Sequence, residues 1–310
     1  VIIPKINSDS IGKMVAGITR CIGQAGYQCL LACTNNDVQE ELRYLNSFHD
    51  QNVDGIILIG TLFTAEHKER MKHLSVPIVV LAQRLDGYSC VYSDDYHASL
   101  DLTSRLAKTG HVFGYINAES RDEAVGRSRK KGFEDGLNQA GQEHAPRYYA
   151  EAVFSMESGY QMAKKLFTDH PDIDTLLCAT DTIASGALRY FHEQEIPVPE
   201  QVQIAGFGDS SIARATTPTL TTAHFFYEEA GSEAGKILLD MMQEKEHPLN
   251  RSCGIPHGNF HIFRSMAAIP TGRLDVRLYF PRFPSCQKAT ALAAATFKES
   301  TPWDMGIRTV

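Results

Sequence analysis

Asp174-Thr-Leu-Leu-Cys-Ala-Thr-Asp-Thr-Ile-Ala-Ser-Gly-Ala-Leu188 is the stretch on which the fold turns. Thr175–Ala179 is a short apolar run, the length of a strand buried on both faces. It stops at Thr180-Asp181, whose short side-chain oxygens suit a helix start. Ile183, Ala184, Ala187, Leu188 and Phe191 then follow the 3.6-residue period of an amphipathic helix. In an open parallel sheet, ligands sit beyond the carboxyl ends of the strands. Thr180 and Asp181 are therefore candidate ligand contacts. For Thr180 a plain helix cap is the competing reading.

The same alternation extends in both directions. Towards the N-terminus, Val1–Ile3 reads as a strand stopped by Pro4, and Asn7-Ser8-Asp9-Ser10 as a polar loop. Ile11, Met14, Val15, Ile18 and Ile22 form a helical stripe ending at Gly26. Strands are predicted at Tyr27–Cys33, Val53–Gly60, Val76–Ala82 and Tyr88–Tyr92, with helices between them. Asp94-Asp95 caps the next helix. Strands at His111–Asn117, Tyr148–Phe154 and Val202–Phe207 alternate with helices over Ala124–Ala140 and Ser158–Asp169. A short extended segment, Thr219–Ala223, and a helix, Glu229–Gln243, follow. Such alternation predicts an α/β fold of doubly wound parallel sheets. One sheet of ten strands would be unusual. Two subdomains with a ligand cleft between them are expected instead.

Composition narrows the function. The 310 residues carry a net charge of −7, which argues against a basic nucleic-acid surface on this piece. The seven cysteines show no C-x-x-C spacing and suit buried, reduced thiols in a cytoplasm. No run is long enough for a membrane helix, and the start lacks the regions of a signal peptide. G-x-S-x-G, H-E-x-x-H and P-loop motifs are absent, and the twelve histidines lack metal-ligand spacing. No enzyme, metal or cofactor is expected.

Several motifs occur in one order: Gly26-Tyr27, Val53-Asp54-Gly55-Ile56-Ile57, Arg129-x-x-Gly132-Phe133, Asp181-x-x-Ala184-x-Gly186-Ala187, Ile204-Ala-Gly-Phe207 and Pro218-x-Leu-Thr-Thr222. Their spacing resembles the effector-binding core of the lactose- and galactose-repressor family of bacterial transcription regulators. That core is similar to periplasmic sugar-binding proteins. The wording of Leu177–Thr182 and Val91–Asp95 looks more like trehalose and sucrose repressors. The resemblance implies a first subdomain from 1–92 plus 223–255, a second from 93–222, and crossings near Tyr92–Asp94, Thr222–Ala223 and Leu249–Cys253. Residues 256–310 read as an atypical tail, either poorly ordered or the product of a reading-frame change, and Arg264–Val310 carries no family motif.

The resemblance also implies a site. Arg129 would reach sugar hydroxyls or a phosphate with its planar fork, and Arg127, in the same basic cluster, is a second candidate. Asn7, Ser8, Asp9 and Ser10 occupy the loop that touches ligand in the family, although Ser8 or Ser10 also suits a helix cap. Gln83 follows the fourth strand and faces the cleft in this reading. Phe154 and Phe225 are read equally as platforms for a sugar face or as core. Gly208 stands where many family members carry aspartate. Asp209 or Thr180 would take that role, and the glycine would leave room for a larger or phosphorylated sugar.

The expected partners are a sugar or sugar-phosphate effector, a second copy of the chain paired through helices of both subdomains, and operator DNA. DNA is reached in this family through a helix-turn-helix and hinge helix. Neither precedes Val1, so the chain is expected to be truncated or an incomplete gene product. A sugar-binding protein of a transport system, which shares the fold, is the alternative.

Overall fold

The computed structural model describes residues 1–246, 260–263 and 266–268. The first sheet runs β11-β5-β4-β3-β1-β2, from β1 (Ile2–Ile3), β2 (Ala32–Cys33), β3 (Ile56–Ile59), β4 (Ile78–Leu81), β5 (Ser89–Ser93) and β11 (Phe260–Phe263). All its pairings are parallel. The second runs β12-β10-β9-β8-β6-β7, from β6 (Phe113–Asn117), β7 (Arg147–Glu151), β8 (Thr175–Cys178), β9 (Gln203–Phe207), β10 (Thr221–His224) and β12 (Met266–Ala268). Only β12 is antiparallel.

Strand alternation builds two cores on the first sheet. Ile57, Ile59, Val79 and Leu81 point to one face, where α1 (Asp9–Gln24) brings Met14 and Ile18 and α9 (Tyr227–Glu246) brings Ala230, Ala234 and Leu238. Ile56, Leu58, Ile78 and Val80 point to the other, against Leu42, Leu45 and Phe48 of α2 (Val38–Asp50) and Met71 of α3 (Ala65–Lys72). The second sheet is covered by α4 (Asp95–Leu106) and α5 (Arg129–Gln139), and by α6 (Met156–Asp169) and α7 (Asp181–Glu193), with α8 (Ser211–Ala215) beyond β9.

Two motif glycines are explained by close packing of helices. A side chain at Gly132 would run into the Tyr96 carbonyl of α4, and one at Gly186 into the Met156 carbonyl of α6.

Three segments differ from the sequence reading. Tyr27–Cys33 forms a strand only at Ala32–Cys33, because β1 is two residues long and offers no further partner. The helix expected over Ala124–Ala140 opens with a π-helical turn, Glu123–Ser128, and becomes α-helical at Arg129. The strand expected at Tyr148–Phe154 covers Arg147–Glu151. In the region read as a tail, 260–263 join the first sheet and 266–268 the second. The rest of that region and the crossing at Leu249–Cys253 lie outside the described residues.

Among the described residues, no helix is long and apolar enough to cross a membrane, and no group of three or more His, Cys, Asp or Glu is placed to hold a metal. The described cysteines are free thiols. Burial pushes the thiols of Cys90 and Cys178 up.

Candidate functional site

Loops at the carboxyl ends of strands in both sheets enclose one cavity of about 670 Å³, within the size range of small-molecule pockets. Nine of the twelve residues expected from sequence line it: Asn7, Ser8, Asp9, Ser10, Gln83, Arg129, Phe154, Thr180 and Asp181.

The loop after β1 leads into α1. Ser8 occupies the N-cap position, but its side chain makes no capping bond and shares a hydrogen bond with Ser10 Oγ at 3.0 Å. Asp9 accepts from Ser211 Oγ at 3.2 Å across the cleft and pairs with Lys13 at 2.7 Å.

After β4 the chain turns through Ala82 at φ 73°, a left-handed conformation for a residue with a side chain. Gln83 follows, buried, and its Nε2 donates to Asp122 Oδ1 at 2.9 Å. This bond links the loop after β4 to the loop after β6, and so one sheet to the other. Asp122 also caps the π turn by accepting from the Val125 N–H at 2.9 Å.

Arg129 is 5% exposed and heavily engaged. Its Nε and Nη2 each reach Asp95 Oδ1 at 2.7 Å, and Nη1 donates to the Ala179 carbonyl at 2.5 Å. The guanidinium carbon lies 4.9 Å from the ring centres of both Phe207 and Phe225. Burial alone would push the guanidinium pKa down. The Asp95 carboxylate beside it reverses the direction and holds it above its ordinary value.

Asp181, 1% exposed, accepts from Thr222 Oγ1 at 2.6 Å and from Ser210 N and Oγ at 2.9 Å each. Burial pushes its carboxyl up, and these donors pull it back part of the way. Thr180 does both things the sequence allowed. It caps α7 by accepting from the Ile183 N–H at 3.2 Å, and it lines the cavity. Phe154 forms part of the wall, with Lys5 Nζ 5.4 Å from its ring centre.

Three expected residues do not line the cavity. Arg127 lies two residues from Arg129, about 200° around a helix, and points to solvent, where it pairs with Glu123 at 3.1 Å. Asp209, at φ 44°, turns away to Arg214 and His224, each at 2.8 Å. Burial works to raise its carboxyl, and those two partners outweigh it, so the net shift is downward. Phe225 is core, 3% exposed, and lies under Arg129.

Gly208 lines the cavity at φ 130°, and a Cβ there would sit 3.3 Å from Asp181 Oδ2 and 3.7 Å from the Tyr227 hydroxyl.

Sequence reasoning missed Asp95, Asp122, Ser210, Tyr227 and the Asn35-Asn36 pair, all on the lining. Asp94-Asp95 held a usable signal. One carboxylate is enough for a cap, and Asp94 supplies it to the His97 N–H at 3.1 Å, which leaves Asp95 to turn inward.

Comparison with known proteins agrees with this architecture. Residues 103–259 match the model of the periplasmic binding protein-like domain family. The sucrose operon repressor of Staphylococcus xylosus is 29% identical over 249 residues, covering 79% of this chain and 75% of that protein. The HTH-type transcriptional regulator TreR of Escherichia coli is 28% identical over 249 residues, covering 80% and 76%. Among solved structures, the transcriptional regulator CelR–cellobiose complex superposes with a TM-score of 0.75 at 21% identity, covering 86% of this chain and 82% of that one. These relatives are transcriptional regulators rather than enzymes. The chain belongs to the periplasmic binding protein-like domain family, as the effector-binding core of a regulator of the lactose- and galactose-repressor type.

Proposed function

We propose that a sugar binds in the cleft and that its occupancy sets the state of a DNA-binding repressor of carbohydrate metabolism. The observation that carries this reading is the convergence of polar loops from both sheets on one cavity with an aromatic wall residue, Phe154. Vicinal hydroxyls both donate and accept. Asp122, Asp181 and the side-chain carbonyl of Gln83 supply acceptors, while Arg129 and Asn7 supply donors. The ring of Phe154 offers apolar area to the flat face of a pyranose. The sucrose operon repressor and the cellobiose complex among the relatives support a ligand of this class.

The ligand acts by touching both lobes, which we read as 1–92 plus 223–255 and 93–222, with β5 running one residue and β10 two residues past these boundaries. Only a difference in affinity between two cleft states shifts their balance. The bonds from Gln83 to Asp122 and from Ser211 to Asp9 already join the lobes in the state described. Operator binding is assigned to a helix-turn-helix segment, and the working form to a cytoplasmic homodimer. Leu30 and Leu31 beside the edge strand β2, and Tyr149 and Val153 on and beside the edge strand β7, are exposed apolar side chains that support pairing.

Isothermal titration of this chain against a panel of sugars and sugar phosphates tests the reading. Saturable binding of at least one member is expected, and a flat response to the whole panel overturns it. Light scattering tests the dimer, for which twice the 34.4 kDa chain mass is expected.

A further inference from the structure

We propose that the cavity selects an uncharged polyhydroxylated ligand and discriminates against phosphorylated or carboxylated counterparts of the same sugar. This rests on the cleft being an effector site, and it decides which chemical class of sugar that site takes.

Among the described residues, the charged groups on the lining are two cations, Lys5 and Arg129, and four carboxylates, Asp9, Asp95, Asp122 and Asp181. Arg129 is the residue whose type most suggests an anion site, yet its geometry removes that role. A guanidinium takes a phosphate or carboxylate with two parallel N–H groups on one edge. The Nε–Nη2 edge of Arg129 is already closed by Asp95, with both nitrogens at 2.7 Å from Oδ1. Nη1 is engaged by the Ala179 carbonyl at 2.5 Å. Of five N–H donors, about two remain, and the Tyr227 hydroxyl shares them. They suit single bonds to hydroxyl oxygens, and the charge behind them is balanced by Asp95.

Asp122 and Asp181 deepen the effect. Both are buried on the cavity wall and held by neutral groups. Asp122 accepts from the amide groups of Gln83 and Val125, and Asp181 from the hydroxyls of Thr222 and Ser210 and the Ser210 N–H. Hydrogen-bond donors of this kind stabilise a carboxylate without cancelling its field. The spare lone pairs accept from ligand hydroxyls, whereas a ligand phosphate brings only oxygens and a like charge. At the mouth, Asp9 is balanced by Lys13, and the ammonium of Lys5 lies over the ring of Phe154. A site built for a dianion would offer an open fork or a cluster of cations. This one presents acceptors.

Titration calorimetry of this chain with matched pairs tests the inference: trehalose against trehalose 6-phosphate, and glucose against glucuronate, which keeps the pyranose ring and adds only a carboxylate. The uncharged member of a binding pair is expected to bind roughly a hundredfold more tightly than its charged partner, as unfavourable like-charge contact in a low-dielectric cleft requires. Equal or tighter binding of the charged member overturns the inference and leaves the sensor reading intact. Silence of the whole sugar and sugar-phosphate panel, these pairs included, overturns the sensor reading, and the inference with it. Two variants locate the cause. Asp122→Asn and Asp181→Asn each keep an acceptor oxygen and remove a charge. Each is expected to shift the affinity ratio about tenfold towards the charged member, and an unchanged ratio in both overturns the assignment to these carboxylates. Loss of charged-ligand binding in Lys5→Ala would identify an anion site at the mouth and overturn it as well.

Discussion

Replacing Arg129 with Met should be far more damaging than replacing both members of its ion pair. Arg129 and Asp95 are each about 5% exposed, and the arginine contributes two short contacts to the carboxylate and one to a backbone carbonyl. Arg129→Met leaves Asp95 buried with no cation, a change that costs about 3–5 kcal/mol in stability. Adding Asp95→Leu removes the stranded charge and fills the space with apolar atoms. The double variant should therefore recover to within about 1–2 kcal/mol of the parent. Urea unfolding of the four species reads this directly, provided the m-values agree. The pH dependence has a fixed sign. Burial already pushes the Asp95 carboxyl up with Arg129 present, and it does so more strongly once Arg129 is gone. A carboxyl whose folded pKa is raised contributes stability at low pH that is lost as pH rises through that value. The deficit of Arg129→Met should accordingly shrink between pH 7 and pH 5. Sugar binding should stay lost in both variants, because the two remaining donors of Arg129 are absent from each. A single-variant cost below about 1 kcal/mol, or a double variant as unstable as the sum of its parts, would refute the view that this pair is a closed unit.

Arg127→Ala should change stability by less than about 0.5 kcal/mol and leave ligand titrations unchanged, since its partner Glu123 is as exposed as itself. Gly206→Ala should cost about 1–3 kcal/mol in denaturant unfolding, because its Cβ would lie 2.6 Å from Asp181 Oδ1. Gln83→Ala removes a buried bond between the lobes. It should lower stability by about 1 kcal/mol and raise the radius of gyration of the unliganded chain in small-angle scattering. Asp209, whose carboxyl is held low, contributes stability present above the ordinary aspartate range and lost as pH falls through its folded pKa. An Asp209→Asn variant should show a shallower acid limb in thermal unfolding than the parent.

Much of this was legible in the sequence because it rests on period and punctuation. The strand-to-helix step at Thr175–Leu188 appears as β8, a Thr180 cap and α7. Arg129, Gly132 and Phe133 lie where their motif implies, with the glycine admitting α4 and the arginine entering the cleft. What was not legible depends on phase and long-range pairing. Arg127 and Arg129 look alike in sequence. A π turn cannot be read from residue type, and its register decides which of them faces inward. Asp95 was hidden because an aspartate at a helix start already has a sufficient local explanation, and its partner is 34 residues away. Phe154 and Phe225 were indistinguishable as rings. Burial separates them, one on the wall and one beneath Arg129. Asn35 and Asn36 both adopt positive φ, at 53° and 62°, which carries the chain after β2 to the cavity.

The covering of the first sheet by α9 has a consequence for biosynthesis. Ile3, Ile57, Val79 and Leu81 rest on a helix that begins only at Tyr227, after all but one short strand of the second sheet. A ribosome adding about 5–20 residues per second takes roughly 7–27 s to travel the roughly 130 residues from Ser93 to Tyr227. For that interval the earliest-made strands have α1 but no second lid, and they present bare aliphatic surface to any chaperone nearby. The middle of the chain, by contrast, holds nearly everything its own sheet needs and is free to settle first. Helix α9, made after most of the second sheet, completes the portion translated first.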